Sequence, residues 1–252
     1  QRPTESSIWF VKPDFPVPTT FDWSNSEVKP NLENSELFVK YSALTSKIDF
    51  EIMGGYAWDD NPTMHTRKIV DMSSGQAVLT GLNITPEHHR LYLAGGSFST
   101  EIKGIVFRGE AAYYHNKHFL TKDPLAPDAL TQKDYLQYVA GIDFNIRNTK
   151  FSTQFIQKYI FDHHDLMNNK KFDNMATFIA RHDFLRETLH LELFTYIGLT
   201  GEDALIRPKI TYDFDNSFSI LAGANIFVGD KKGQFGQYKD NSMLYMKMKY
   251  NF

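Results

Sequence analysis

The sequence predicts an all-β protein, an antiparallel transmembrane β-barrel of about twelve strands forming a single domain over residues 1–252. Three observations carry that expectation. The last ten residues alternate strictly, with Leu244, Met246, Met248, Tyr250 and Phe252 on one side and Tyr245, Lys247, Lys249 and Asn251 on the other, the period of a strand. The same alternation returns through most of the upstream chain. The segments between are sorted, short alternating with long, as in barrels that join strands by tight periplasmic turns and longer external loops.

Taken from the N-terminus, a first strand is expected somewhere in 6–23, although Pro13, Pro16 and Pro18 interrupt it. Segments 36–43 and 47–58 follow, with Glu36, Lys40, Asp49 and Glu51 on the side opposite the apolar set. Segment 88–99 has mixed faces; 104–114 places Arg108 and Glu110 together, and 134–146 carries Asp143. Segment 150–161 is again mixed and includes Lys158, whereas 173–184 aligns Arg181 with Asp183. In 188–199, Leu189, Leu191, Leu193, Ile197 and Leu199 alternate with His190, Glu192, Phe194 and Tyr196. In 204–214, Ile206, Pro208, Ile210, Tyr212 and Phe214 alternate with Arg207, Lys209, Thr211 and Asp213. Pro208 must fall at a strand end or an interruption, since it cannot donate to a ladder. Segment 217–228 sets Phe218, Ile220, Ala222, Ala224, Ile226 and Val228 on one face, and the C-terminal strand closes the series.

With Phe252 at the periplasmic side, 43–47, 99–104, 146–150, 183–187 and 214–217 are the short turns. The external connections are 59–87, 115–133, 162–172, 200–203 and 229–240. An even strand count favours closure with the segment in 6–23; the alternative is that the chain is the C-terminal part of a larger barrel. No run of about twenty apolar residues occurs, so no helix is expected to cross a membrane. Phe (21), Tyr (13) and Trp (3) are abundant enough for interfacial girdles. Tyr56, Trp58, Tyr113, Tyr138, Tyr212, Phe214, Tyr250 and Phe252 are placed to form them. The absence of Cys excludes disulfides and thiolate chemistry. A net charge of −3 with no basic cluster argues against a nucleic-acid partner.

The inward face is where function is expected. The lumen-lining set is Glu36, Lys40, Asp49, Glu51, Arg108, Glu110, Asp143, Arg181, Glu192, Arg207, Lys209, Lys247 and Lys249. Charges of both signs at such positions require a wet lumen or a dense ion-pair network, because an unpaired ion without water costs several kcal/mol. Arg207, Lys209, Lys247 and Lys249 make a basic wall, and Glu36, Asp49, Glu51 and Glu110 an opposing acidic one. A transverse field of that kind orients dipolar solutes. The simpler reading is that the charges pair and hold the barrel in shape. Inward Phe194, Tyr196, Phe227 and Tyr245 form an apolar patch for a hydrophobic solute, or pack against a loop.

Histidines fall in the external connections: His65, His88, His89, His115, His118, His163 and His164. Asp162-His163-His164-Asp165 and His115-Asn-Lys-His118 hold metal-ligand side chains. Neighbours within one loop rarely converge on one ion, so solvated loops and no metal site are expected. No enzyme is expected either. No outer-membrane protease pattern is found, and the phospholipase pattern, a His one residue before the nucleophilic Ser, does not occur.

Three phrases carry a family resemblance: Arg108-Gly-Glu-Ala-Ala-Tyr-Tyr114, Tyr138-Val-Ala-Gly-Ile-Asp-Phe144, and Gly229 followed by Phe235-Gly-Gln-Tyr-Lys-Asp-Asn241. Over most of 24–252 the chain resembles the proteobacterial outer-membrane family catalogued as a domain of unknown function (number 1302), and more distantly the alginate-export-type porins. Members are usually longer, with more strands before the segment that Phe15-Pro-Val-Pro18 resembles. The resemblance implies an outer-membrane channel or exporter and supplies no catalytic residues. The functional expectation is therefore a channel for passive transport or export of small, hydrophobic or anionic solutes, without cofactor. Its partners would be outer-membrane lipid and the barrel-assembly machinery acting on the C-terminal strand. The alternative is a closed barrel acting as a scaffold for envelope export proteins docked on its loops or turns.

Overall fold

The computed structural model describes residues 16–251. In chain order the strands are β1 (Thr19–Phe21), β2 (Leu37–Leu44), β3 (Ile48–Trp58), β4 (Thr63–Asp71), β5 (Val78–Glu87), β6 (Arg90–Ile102) and β7 (Ile105–Leu120). They continue as β8 (Leu130–Ile146), β9 (Thr149–Ile160), β10 (Phe172–Phe184), β11 (Leu189–Gly198), β12 (Asp203–Asp213), β13 (Phe218–Val228) and β14 (Met243–Tyr250). Eleven of them form one antiparallel sheet in the order β14-β13-β12-β11-β10-β9-β8-β7-β6-β3-β2. These are the eleven alternating segments read from the sequence, and only β3 to β6 skips over intervening strands. The β4–β5 hairpin, with β1 parallel to β5, makes a separate three-stranded sheet inside that skip.

Connections are sorted by end. At one end lie 45–47, 103–104, 147–148, 185–188 and 214–217; at the other lie 59–89, 121–129, 161–171, 199–202 and 229–242. The first are the turn end and the second the loop end. The link 103–104 shows why the turns are tight. Lys103 and Gly104 both have positive φ (53° and 79°), the requirement of a two-residue hairpin turn matched to strand twist.

The register locks the phase of every strand. Residues opposite one another share a face, so Glu51↔Ser97, Ser97↔Glu110, Glu110↔Val139 and Val139↔Ile156 run across one side. Arg181↔Glu192, Glu192↔Lys209 and Leu221↔Lys247 continue on that same side. This polar face holds the charged side chains of the strands. The opposite face carries Asp, Glu, Lys or Arg only as Arg90 and Asp134, both at the loop end. Apart from His115, His118 and Gln132 toward the loop end, Gln157, His182 and a few small polar residues, what remains there is aliphatic or aromatic. Among the described residues no second layer covers it. Leu191 and Leu193 in the middle of the sheet are each 37% exposed, and Leu244 on the last strand is 83% exposed.

Pro208 fits this scheme without loss. The β12–β13 pairing passes from Ile206↔Ile226 to Lys209↔Gly223, so the residue lacking an N–H sits in a gap of the ladder.

Three expectations are corrected. The predicted loop 59–87 contains the β4–β5 hairpin. The predicted loop 115–133 is largely strand, because Lys117–Leu120 pair with 130–133 beyond a bulge after Tyr114. The third concerns closure. Thr19–Phe21 is a strand, but it pairs with β5 (Thr19↔Leu82) rather than with the large sheet. Residues 6–15 of the expected first strand, and Phe252, lie outside the described residues. Among those described, β2 and β14 remain edges, and the sheet is not closed into a barrel.

Aromatic rings lie across glycines on facing strands. Phe98 stands opposite Gly109, and a Cβ there would strike its ring; Tyr245 covers Gly223 in the same way. Gly109→Ala is therefore expected to cost about 1–2 kcal/mol through overpacking. Phe98→Leu in that background should restore part of the loss. Denaturant midpoints followed by strand circular dichroism test this, and an unchanged Gly109→Ala midpoint refutes it.

Candidate functional site

The polar face is the place where chemistry concentrates. Lys40 Nζ lies 3.0 Å from Glu51 Oε1, which also accepts from Ser42 Oγ at 2.9 Å. Arg108 pairs with Asp143 at 2.8 Å, and Lys158 with Asp173 at 3.4 Å. Glu192 is held by Arg181 at 2.5 Å on one side and Lys209 at 2.8 Å on the other, a triad spanning β10, β11 and β12. His190 bridges Asp183 (2.6 Å) and Asp213 (3.0 Å) one step nearer the turn end. Arg207 Nε donates to Asn225 Oδ1 at 3.0 Å. Facing strands place these partners directly or diagonally opposite, which is why the pairs form.

Of the residues expected to line a lumen, Lys40, Glu51, Arg108, Asp143, Arg181, Glu192, Arg207 and Lys209 are thus paired or hydrogen-bonded. Asp49, Glu110, Lys247 and Lys249 share the face, but among the described residues they make no ion pair. Glu36 lies just before β2 and caps the end of β3, its carboxylate accepting from Trp58 N–H at 2.8 Å.

Two long connections fold over this face at the loop end and make the buried clusters there. Met167, from 161–171, packs with Phe119, Tyr135 and Ile160. Phe235, from 229–242, packs with Leu205 and Phe227, against Met175, Tyr196 and Tyr238. The inward aromatics Tyr196 and Phe227 are therefore loop contacts, with Phe194 tilted against Tyr196 at 4.5 Å between ring centroids. Between the two clusters lies a cavity of about 350 Å³, bordered by Lys117, Lys158, Lys170, Lys232, Asp173 and Asp203. Lys117 pairs with Asp59, and Lys170 donates to the Thr200 carbonyl at 2.9 Å.

Asp203 was not singled out by sequence, yet it pins the second of these loops. It is only 4% exposed, and its Oδ2 accepts from Phe235 N–H at 2.5 Å and Gly236 N–H at 3.2 Å. A Cβ at Gly198, Gly229 or Gly233 would collide with it, so the carboxylate occupies a pocket that only glycines leave. The glycines flanking Asp203 on both sides were the readable signal.

The histidines divide. His163 Nε2 bonds the Asn169 carbonyl at 2.7 Å within its own loop, and His115 Nδ1 lies 2.8 Å from Asp134. His65, His89 and His118, by contrast, come together from three elements. His65 Nε2 is 2.8 Å from His89 Nε2, and the His89 and His118 rings stack at 3.8 Å. Glu87 joins His65 and His89 in a group whose ligand atoms lie within 4.8 Å of one another. Burial and the adjacent His65 hold the His89 imidazole below its ordinary range. The loop-by-loop reading of the sequence missed this convergence, because the β4–β5 hairpin that fixes it was not foreseen.

No protein-family model matches this chain, and no curated protein matches it. No helix among the described residues is long and apolar enough to cross a membrane, which leaves strand crossing open.

Two outcomes are expected of these contacts. Glu192→Gln leaves Arg181 and Lys209 facing each other and should destabilise by about 1–3 kcal/mol, between the exposed and buried limits for ion pairs. Glu192→Gln with Lys209→Met should recover part of that in a double-mutant cycle. Asp203→Ala removes the pin on 229–242, so trypsin should cut faster after Lys231 and Lys232 with the strand spectrum unchanged. An unaltered cleavage rate would exclude the pinning role.

Proposed function

We propose that this chain is the wall of an outer-membrane β-barrel and lines a channel for small, polar or anionic solutes. The observation that carries the reading is the apolar face. Across eleven strands it is uncharged between the ends of the sheet and, among the described residues, uncovered by any second layer. A water-soluble sheet buries such a face against another layer, whereas hydrocarbon solvates it without one. The sorting of turns and loops supports the same reading.

Within a membrane, open sheet edges are costly because their backbone groups find no water. β2 and β14 then each acquire a partner, by pairing with one another or with further strands. The polar face becomes the lumen. The loop-end cavity bordered by Lys117, Lys158, Lys170 and Lys232 becomes its mouth, and the in-folded connections 161–171 and 229–242 narrow it. With Lys117 paired to Asp59 and Lys158 to Asp173, the excess of Lys170 and Lys232 over the buried Asp203 leaves the mouth weakly basic, which favours anions, and solutes then diffuse past a lining that is largely ion-paired, without cofactor or catalytic step.

The extent of that pairing also favours a second reading, a barrel closed by its own charges and loops that serves as a scaffold for envelope proteins. Conductance separates the two. Purified refolded protein in a planar bilayer should show discrete steps, with a reversal potential under a salt gradient that moves toward cation preference on Lys247→Glu with Lys249→Glu. A folded but silent protein would favour the scaffold, and an unmoved reversal potential would remove these lysines from the pathway.

A further inference from the structure

The group around His65 is the part of the molecule that a channel does not need, and its geometry is that of a metal site. His65 lies on β4, Glu87 is the last residue of β5, and His89 immediately precedes β6. The β4–β5 register sets Thr63 opposite Glu87 and His65 opposite Thr85, so His65 and Glu87 are diagonal neighbours on one face. His89 follows Glu87 by two residues. The ligand atoms of the three lie within 4.8 Å of one another, and Glu87 Oε2 is 3.7 Å from His65 Nε2.

Orientation is what distinguishes this group from a chance cluster. Asp128 Oδ2 stands 3.2 Å from His65 Nδ1 and accepts from that nitrogen in the Nδ1–H tautomer, which leaves the Nε2 lone pair directed at His89. A carboxylate behind a ligating imidazole is the usual outer-shell arrangement at metal centres. Asn25 Nδ2 donates to Glu87 Oε1 at 3.3 Å, restraining that carboxylate as well. The His118 ring, stacked on His89, fixes the second imidazole. His88, the adjacent residue, is turned away, its Nδ1 2.6 Å from the Asp59 carbonyl. A recess of about 290 Å³ lined by His65, His118, Asp128 and Gln132 borders the group.

We infer that His65, His89 and Glu87 bind a divalent first-row transition ion of the zinc type, with Asp128 orienting His65 from behind. Imidazole nitrogens favour such ions over calcium or magnesium, which take oxygen donors. Two nitrogens at roughly 2.0–2.1 Å from a tetrahedral ion stand about 3.3 Å apart, so the two rings need separate by only about half an ångström from their 2.8 Å spacing. Three protein ligands leave a fourth position for water. The bound ion would join the hairpin to the start of β6, and through Asp128 to the β7–β8 connection, fastening the small sheet across the loop end. This site is independent of whether the large sheet conducts.

The test uses the purified full chain with Zn²⁺ by calorimetry and Co²⁺ by visible absorption. About one ion per chain is expected, with the intense d–d bands of a low-coordinate Co²⁺ centre. His65→Ala and His89→Ala should abolish the bands, Glu87→Gln should weaken affinity at least tenfold, and Asp128→Asn should weaken it about 10- to 100-fold. His163→Ala with His164→Ala should leave affinity unchanged. Strand circular dichroism checks the fold of each variant. If an alanine variant misfolds, the near-isosteric Glu87→Gln and Asp128→Asn changes decide alone. Absence of binding, full affinity in both of those variants, or equal loss in the His163/His164 control would each overturn the assignment.

Discussion

Everything in this molecule depends on the phase of its alternation being held across eleven strands. Because successive side chains point to opposite faces, a slip of one residue in any one pairing would carry that strand's charges to the apolar side and its leucines and phenylalanines to the polar side. The sequence prevents this redundantly. Opposite charges on neighbouring strands, as in Arg181, Glu192 and Lys209, meet only in the observed register. Rings such as Phe98 and Tyr245 fit only over the glycines they face. The Lys103–Gly104 turn leaves no slack between β6 and β7.

With the faces fixed, the two ends take different roles. The turn end is made of minimal links and buries little. The loop end is where the chain builds an interior, since Phe119, Tyr135, Ile160 and Met167 form one cluster and Leu205, Phe227 and Phe235 the other. Both sit on the polar face, where they replace water rather than fill a space between layers. Such a cluster needs its loop anchored, because backbone brought over the sheet must find partners for its own N–H groups. Asp203 supplies two of them at once, and the glycines around it let the backbone come close enough.

Most strands of the large sheet were legible because period-2 alternation is a local property, whereas 88–99 and 150–161, whose faces mix, showed it only weakly. The faces followed from the same parity, so the polar-face charges could be named before their partners. The β4–β5 hairpin was hidden because Arg67, Lys68, Ile69 and Val70 do not alternate, and because a small sheet lying apart from the large one has no reason to separate apolar from polar with period two. The extension of β7 and β8 was obscured by the bulge after Tyr114, which shifts the parity of everything beyond it. Pairings could not be read at all. That His65 meets His89, or that Asp203 meets Phe235, depends on which elements lie side by side, and alternation is silent about that.

The unpaired charges on the polar face have two different origins, and the difference bears on what the face can do. Lys247 and Lys249 belong to β14, whose one neighbour among the described residues offers Leu221 and Ser219 opposite them; they make no ion pair there because the described sheet ends at that strand. Any strand that completed the edge could supply carboxylates and neutralise them. Asp49 and Glu110 are free although strands flank them on both sides, since their opposite residues are Leu44 and Ser99 in the one case and Ser97 and Val139 in the other. Nothing added at the edges changes those neighbours. The acidic character near β3 and β7 is thus built into the sheet, whereas the basic character of β14 depends on what lies beside it, so a field across the polar face would be set at one pole by sequence and at the other by closure.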